Sequence, residues 1–240
     1  MRLHRFHITE HITGDTVKID NESLIHQWRN VFRYTVGGQV IVFNGDGFDY
    51  LSLIAEIYGK TAVLQIVSKK KSVIPEKKVC LAMAIVKKDT FELITEKATE
   101  LGASEIIPLI AERSEKKSIR MDRLKKIVVE ASEQSGRGDV PFIHEAISVS
   151  DFLSHEGLEN YGLKIIFHVG EKNTIQREAF GDSDLPTLIC IGPEGGWSDS
   201  EVEQFRSHGF ETRSLGNLVL RAETAAIASL ALAMIDTNTQ

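Results

Sequence analysis

The feature that most constrains the fold is a run of eight apolar residues, VCLAMAIV, at positions 79–86. A strand that is apolar at successive positions is buried on both faces, as in parallel sheets with helices on either side. Four further strands are predicted downstream, from the segments SEIIPLI, KIIFHV, TLICI and ETRSL. Because helical patterns separate these strands, residues 73–240 are predicted to form an α/β domain with a parallel sheet.

The helices of this domain carry their own start and stop signals. Asp89 is predicted to cap a helix that extends to position 101, and an amphipathic helix is predicted over 121–135. The pattern S-x-x-E, a capping box, predicts the beginning of a helix over 199–208. The last helix, predicted over 223–235, is apolar on nearly every face.

Residues 1–72 are predicted to form a separate, β-rich domain. Strands are indicated by alternating or β-branched segments, namely RLHRFHI, TVKI, QVIVFN, DYLSLIAEI and AVLQIVS. The tetrapeptide NGDG at 44–47 predicts a hairpin turn, and one amphipathic helix is predicted over 23–33. We therefore expect a small β-barrel with one helix, which the charged, proline-containing linker 68–78 joins to the α/β domain.

Composition excludes several classes of protein. The hydrophobic share of 42% and the charged share of 26% are ordinary for a soluble globular protein. The first residues lack the apolar region of a secretory signal, and the longest apolar run, 225–235, is too short to span a bilayer. Cys80 and Cys190 lie in apolar runs and are predicted to be buried, reduced thiols of a cytoplasmic protein.

Charge is distributed unevenly along the chain. The net charge is −6, but residues 1–72 carry nine Lys and Arg against seven Asp and Glu, whereas residues 73–240 carry 19 against 27. An acidic protein can therefore present a local basic surface to an anionic partner.

Three glycine-bearing segments follow predicted strands of the second domain, HVGE at 168–171, IGPEGG at 191–196 and SLGNLVLRAETA at 214–225. Open α/β sheets bind ligands at the C-terminal ends of their strands. A phosphate site is the first candidate, because a helix begins after the second segment. That segment, however, holds Glu194 and no lysine or arginine, and no P-loop or dinucleotide motif occurs. S-adenosylmethionine, with its positive sulfonium, fits better.

The pair IGPEGGWSDSE and LGNLVLRAETA resembles the C-terminal motifs of the RsmE family of 16S ribosomal RNA methyltransferases, members of the SPOUT superfamily that methylate N3 of a uridine. Segments 94–114 and 130–141 are similar to other blocks of that family, and HQWRNVFR at 26–33 is similar to its N-terminal motif, with Trp28 and Phe32 as departures. The resemblance covers nearly the whole chain.

This resemblance implies a PUA-like RNA-binding β-barrel over 1–72 and a SPOUT methyltransferase domain with a C-terminal trefoil knot over 73–240. It implies a homodimer, S-adenosylmethionine as cofactor, and 16S rRNA in an assembled or assembling small ribosomal subunit as partner, hence a part in rRNA processing. It also implies a cofactor site at the three glycine segments, formed by His168, Val169, Gly170, Ile191, Gly192, Pro193, Glu194, Gly195, Gly196, Leu215, Gly216, Leu218, Leu220, Arg221 and Ala225.

Arg221 and Glu194 are the candidate catalytic residues. Uridine N3 is a poor nucleophile until its proton leaves, and a guanidinium near O2 and O4 would stabilise the resulting anion. The sequence does not decide whether the general base is Glu194, Glu223 or a water molecule. The alternative is that Arg221 pairs with Glu194 or Glu223 and only holds the loop.

Basic side chains are the candidate RNA contacts, because they would bind phosphates and position the substrate. The plain alternative is a solvated basic face. The eight histidines lack the spacing of metal ligands, so no metal is predicted. The predicted RNA-binding residues are Arg2, Arg5, His26, Arg29, Arg33 and Arg137.

Other functions stay open at this point. A non-catalytic RNA-binding protein would use the basic barrel and keep the α/β half as structure only. A nucleotide-binding enzyme would use the glycine segment for phosphate. The same methyl transfer on another RNA or another base position is a third possibility that the sequence leaves undecided.

Overall fold

The structure is a computed structural model that describes residues 3–115, 118–181 and 185–234. The chain divides into two compact units. The first comprises residues 1–74 together with 132–140, and the second comprises residues 75–131 and 141–240.

The first unit is built on a mixed sheet of five strands, β1 (Arg5–His7), β2 (Thr16–Ile19), β3 (Gln39–Phe43), β4 (Phe48–Tyr58) and β5 (Thr61–Lys71). Their order in the sheet is β1-β3-β4-β5-β2, where β1 runs parallel to β3 and the other neighbours are antiparallel. Helix α1 (Glu22–Asn30) buries Trp28 in the core of this unit. The turn predicted at 44–47 joins β3 to β4.

Helix α1 is shorter than predicted. It ends at Asn30 rather than Arg33, because Arg33 has a φ of 55° and this left-handed conformation cannot continue a right-handed helix. Val31 is consequently exposed, and Phe32 packs against the core from outside the helix. The prediction that 23–33 forms one helix is wrong in its last turn.

The predicted linker is partly strand. Residues Ser68–Lys71 continue β5 and pair with Phe48–Leu51 of β4, so the irregular connection is shorter than 68–78. The three lysines at 69–71 are exposed, as an extended strand with a solvent-facing end allows.

The second unit contains the predicted parallel sheet. Its strands are β6 (Val79–Ala84), β7 (Glu105–Ile110), β8 (Phe142–Ile143), β9 (Ile147–Ser148), β10 (Leu163–Phe167), β11 (Thr187–Ile191) and β12 (Glu211–Arg213). The strands are ordered β12-β10-β11-β6-β7-β8, and β9 also pairs with β7. All of these pairings are parallel, and every residue of β6 and β11 is buried. The α/β fold of this unit is therefore confirmed.

In the described residues after β6 there are five α-helices, α2 (Lys88–Glu100), α3 (Met121–Ser135), α4 (Val149–Leu153), α5 (Asp199–Ser207) and α6 (Ala222–Met234), and two short 3-10 helices (Glu156–Asn160 and Arg177–Phe180). The N-cap of α2 is Lys87, which makes no side-chain capping bond, so the predicted capping role of Asp89 is wrong. Asp89 lies in the first turn instead, where its charge suits the positive end of the helix. Helix α6 packs against α2, β6 and β11, and the predicted end at Ile235 lies outside the described residues.

Residues 132–140 belong to the first unit although the sequence assigned them to the second domain. Arg5 binds this segment, because its guanidinium donates to the carbonyls of Ser132 (3.2 Å) and Arg137 (3.1 Å). The same guanidinium donates to Asp49 Oδ1 in β4 (2.7 Å). Arg137 is itself paired with Asp139 at 2.9 Å. The side chains of Arg5 and Arg137 are only 8% and 5% exposed, so neither can meet RNA phosphates as predicted.

Candidate functional site

The three glycine segments meet at the C-terminal edge of the parallel sheet. They follow β10, β11 and β12 and enclose a cleft of about 590 Å³, a size typical of small-molecule sites. Of the predicted cofactor residues, all except Gly195 line this cleft: His168, Val169, Gly170, Ile191, Gly192, Pro193, Glu194, Gly196, Leu215, Gly216, Leu218, Leu220, Arg221 and Ala225.

Gly195 does not line the cleft and packs against Arg113 instead. Arg113 Nη1 donates to the carbonyls of Gly195 and Trp197, each at 3.1 Å, and a Cβ on Gly195 would lie 3.3 Å from Arg113 Cβ. A Cβ on Gly192 would lie 3.2 Å from the buried ring of Trp197. The segment therefore needs glycine at these two positions for close packing.

A buried carboxylate fixes the helix that follows. Ser198 Oγ accepts from the Glu201 N–H (3.2 Å), and Glu201 Oε2 accepts from the Ser198 N–H (2.9 Å), so the predicted capping box is confirmed. Glu201 Oε1 also accepts from the Glu112 N–H (2.8 Å), and Glu201 is 5% exposed. Through these bonds Glu201 ties the glycine segment to the chain that leaves β7.

The segment after β10 is held by Glu171. Its carboxylate accepts from the backbone N–H groups of Asn173 (3.2 Å) and Lys172 (2.8 Å). These bonds, with Arg206 and His168 nearby, lower the pKa of Glu171. The carboxylate therefore stays charged and keeps its bonds at neutral pH. Gly170, at the turn itself, has a φ of 86°.

The segment after β12 carries the predicted catalytic arginine. Gly216 has a φ of 121°, and Leu218 and Val219 are 81% and 76% exposed. The Arg221 side chain is 87% exposed, with Nη1 4.0 Å from Glu223 Oε1. An ion pair this long and exposed hardly restrains the guanidinium. The Arg221 guanidinium can therefore turn toward a ligand in the cleft that it lines.

Comparison with known proteins identifies the family. Residues 74–234 match the family model of an RNA methyltransferase domain. Ribosomal RNA small subunit methyltransferase E of Rickettsia conorii is 33% identical over 233 residues, which is 96% of this chain and 95% of that protein. The chain belongs to the ribosomal RNA small subunit methyltransferase E family.

Relatives and solved structures agree with this assignment. The methyltransferase E of Bacillus subtilis is 31% identical over 221 residues, 86% of this chain and 85% of that protein. The crystal structure of methyltransferase E from Neisseria gonorrhoeae bound to S-adenosyl methionine has a TM-score of 0.84 at 28% identity and covers 96% of each chain. A methyltransferase from Legionella pneumophila in complex with the same cofactor has a TM-score of 0.87 at 30% identity, over 97% of each chain.

In this member of the methyltransferase E family, Lys87, the N-cap of α2, and Thr90, in the first turn of that helix, also line the cleft. Sequence reasoning missed them because chain order does not reveal that β6 is the neighbour of β11. The usable signal was the position of Lys87 directly after an apolar strand. Other lining residues outside the predicted set are Phe167, Trp197, Ser214, Asn217, Val219, Ala222 and Glu223.

The two cysteines lie in neighbouring strands of the sheet and are buried without a disulfide. Burial raises the pKa of both thiols, so neither is a reactive thiolate at neutral pH. Within residues 3–115, 118–181 and 185–234, no group of His, Cys, Asp or Glu is arranged to hold a metal. In the same ranges no helix has the length and apolar character to cross a membrane.

Three of the predicted RNA contacts are exposed in the first unit. His26 and Arg29 project from α1, and Arg33 follows it. Arg2 lies outside the described residues. The basic surface of this unit is therefore smaller than the sequence predicts, because Arg5 is used internally.

Proposed function

We propose that the protein is an S-adenosylmethionine-dependent methyltransferase that methylates N3 of a uridine in 16S ribosomal RNA. The observation that carries this proposal is the single cleft formed by three chain segments, 168–170, 191–197 and 214–225, each at the C-terminal end of a parallel strand. Membership of the family and the cofactor-bound relatives support the same reaction.

The residues of the cleft fit this cofactor. Leu215, Leu218 and Leu220 supply apolar walls for an adenine ring. Glu194, in a glycine segment without a lysine or arginine, suits a positive sulfonium better than a phosphate. The cofactor supplies an electrophilic methyl group when it is bound. The residues of the protein orient the uridine and remove its proton.

Arg221 and Glu194 carry the proposed proton chemistry. Loss of the N3 proton spreads negative charge onto O2 and O4 of the uracil ring, where the Arg221 guanidinium donates hydrogen bonds. Glu194, Glu223 or a water molecule accepts the proton. Lys87, also in the lining, adds a positive charge that favours the same anion.

The proposal also includes a PUA-like barrel, a SPOUT-type knot and a homodimer. Register shifts in β4, between Leu51 and Ser52 and between Ile54 and Glu56, bend the sheet of the first unit and support a PUA-like barrel. The position of β11 between β10 and β6, with α6 packed on β6 and β11, supports a SPOUT-type knot. The exposed Leu218 and Val219 support a homodimer. The substrate is rRNA within a small ribosomal subunit in the cytoplasm.

Two measurements test the function. Isothermal titration should show S-adenosylmethionine binding that ATP does not displace. The purified protein should then convert a uridine to 3-methyluridine in small subunits from a deletion strain, as read by mass spectrometry of digested rRNA. A non-catalytic RNA-binding protein would not bind the cofactor, and a phosphate-binding enzyme would show competition by ATP. A methylated product at another base position would overturn the assignment of N3.

A further inference from the structure

An open groove lies on the first unit and is not used by the reaction proposed above. It is lined by Arg29, Arg33, Tyr34, Thr35, Val36 and Ile57, which come from α1, from the segment after α1 and from the end of β4. All six residues belong to the first unit.

The groove is cationic. Its lining contains two guanidinium groups and no carboxylate. Arg29 makes one long hydrogen bond, to the Gly59 carbonyl at 3.4 Å, and Arg33 has no ion pair in the part of the chain that the structure describes. Two guanidinium groups without carboxylate partners match a phosphate, which they bind in a bidentate manner.

An aromatic stack ends at the same groove. The rings of His4 and Phe32 lie 4.5 Å apart, and Phe32 stacks on Tyr34 at 5.7 Å with an interplanar angle of 24°. A 2.8 Å hydrogen bond joins the Tyr34 hydroxyl to His4 Nδ1 and holds the Tyr34 ring in place. Val36, next to it in the lining, is 63% exposed. Tyr34 is half-buried against the core of the first unit, so its ring is held at the edge of the groove. A fixed ring beside an exposed aliphatic side chain suits the flat face of a nucleobase.

The backbone conformation of Arg33, at the end of α1, is uncommon for an arginine. Arg33 is the one residue other than glycine with a positive φ among those described, at 55°. Glycine or asparagine adopts this conformation more easily, and strain of this kind is concentrated at functional sites. The conformation by itself does not require a guanidinium.

We infer that this groove binds one unpaired nucleotide of RNA, with its base against Tyr34 and Val36 and its phosphate between Arg29 and Arg33. The inference rests on the proposed function in taking RNA as the substrate. The nucleotide is distinct from the uridine that reacts in the cleft, and it anchors a neighbouring single-stranded part of the same RNA. Paired bases do not present a free face, so duplex RNA should not fill the groove.

The ring is tested with a short fluorescent single-stranded oligoribonucleotide and the full-length protein. Tyr34→Ala should weaken binding by about 5- to 100-fold, the range expected for one stacked base. Tyr34→Phe keeps the ring and its stack on Phe32 but loses the bond to His4, so it should bind much more tightly than Tyr34→Ala. Because Tyr34→Ala removes no charge, the dependence of affinity on salt should not change. Melting temperatures of both variants show whether the fold is intact.

The charges are tested with Arg29→Gln and Arg33→Gln, each of which should lower the salt slope of binding by about 0.7. Lys18→Gln, an exposed lysine on β2, is the matched control and should leave the slope unchanged. Arg33→Gly should weaken binding without lowering the melting temperature, because glycine relieves the positive φ. A purely structural role for Arg33 predicts a lower melting temperature and unchanged affinity.

Two results would overturn the inference. One is equal competition by duplex and single-stranded RNA. The other is unchanged affinity of a folded Tyr34→Ala protein, which would leave the groove a solvated surface. Neither result touches the proposed function, because cofactor titration and 3-methyluridine formation are measured separately. Conversely, a protein that binds the oligonucleotide through Tyr34 but forms no 3-methyluridine would refute the proposed function, whereas the inference about the groove would stand.

Discussion

Glycines of the cleft serve two separate physical needs. Gly170, Gly196 and Gly216 have φ values of 86°, 68° and 121°, which side chains with a Cβ rarely adopt. Gly192 and Gly195 have ordinary backbone angles but face Trp197 and Arg113 at close range. A substitution at the first group strains the backbone, whereas a substitution at the second displaces a neighbouring side chain.

Gly216→Val should lower S-adenosylmethionine affinity strongly while the protein stays folded. Among the described residues other than its two chain neighbours, none has an atom within 4 Å of the new Cβ, so the effect comes from backbone strain that changes the segment lining the cleft. Isothermal titration gives the affinity, and Gly14→Ala, at an open glycine with ordinary φ, is the control. Unchanged affinity in a folded Gly216→Val protein would contradict a cofactor role for this segment.

Arg221→Ala should reduce single-turnover methylation by about 100- to 1,000-fold, as expected for the loss of a group that stabilises developing charge. The 87% exposed side chain contributes little to stability, so the melting temperature should hardly change. Alkaline pH should partly rescue the variant, because hydroxide then helps to form the uridine anion.

Arg221→Lys is the matched variant, since it keeps the charge but loses the planar fork and should not restore full activity. If Arg221 only held the loop through Glu223, cofactor affinity would fall in step with the rate and alkaline pH would not help. Measuring the rate and the cofactor affinity across pH separates these two roles.

The arginines of the first unit show where inference from sequence ends. Arg5 and Arg33 are the same residue type in the same short domain, and both were predicted to meet RNA. Arg5 is buried because Asp49 and the carbonyls of 132–140 surround it, whereas Arg33 lies exposed after α1. Only the packing of segments that are distant in the sequence distinguishes the two arginines, and no local sequence pattern predicts that packing.

Among the elements, the turn at 44–47 is the one that local chemistry explains most fully. Asn44 Oδ1 accepts from the Asp46 N–H (3.2 Å), Asp46 Oδ1 accepts from the Phe48 N–H (3.0 Å), and Asp46 Oδ2 accepts from the Tyr50 hydroxyl (2.6 Å). The bond to Asp46, together with burial, raises the pKa of Tyr50 to about 12.

This turn should make stability fall at alkaline pH. The pKa of Tyr50 is about 12 in the folded protein against an ordinary value of 10.0. The neutral hydroxyl therefore adds stability below pH 10, and that stability is lost as the pH rises toward about 12. Urea unfolding from pH 8 to 12 should show a steeper loss for the unchanged protein than for Tyr50→Phe. Equal slopes would show that the turn does not depend on this hydroxyl.

The capping box should support both the fold and the cleft. Glu201→Ala leaves the N–H groups of Ser198 and Glu112 without their acceptor, which should cost about 1–3 kcal/mol of unfolding free energy. Cofactor affinity should fall as well, because the preceding glycine segment loses its anchor. Glu203→Ala, exposed on the same helix, is the control and should change neither quantity. Equal effects of the two substitutions would refute this role of Glu201.

Strong local patterns predicted elements well, and weak ones did not. Strand β6 is apolar throughout and β11 is apolar after Thr187, and the sequence predicted both nearly to the residue. Strands β8 and β9 have two residues each and α4 has five, too few for a period to be read, and all three were missed. The glycine segments of the cleft were found from their position after predicted strands, and the family resemblance assigned their residues to the cofactor, whereas Lys87 required the strand order of the sheet.

At the scale of the molecule, exposed or half-buried apolar side chains of the segment after β12 and of α6 predict self-association. Leu218 and Val219 are exposed, and the apolar helix α6 leaves Ile227 and Leu232 half-buried. We expect light scattering to give twice the chain mass of 26.7 kDa.

Val219→Asp should produce the single-chain mass, because a desolvated charge opposes the interface. Tyr58→Asp, at an exposed aromatic residue of the first unit, should leave the doubled mass unchanged. A single-chain mass for the unchanged protein would refute the dimer.

The buried contacts of Arg5 set an order of events during synthesis. Its partners Ser132 and Arg137 emerge from the ribosome about 60 residues after the last strand of the first unit. At a synthesis rate of about 5–20 residues per second, this is a delay of about 3–12 s. During that interval the guanidinium of Arg5 and the N–H of His7, later bound by Glu133, lack their final partners. The unit that begins the chain is therefore completed only after residues 75–131 of the second unit have been translated.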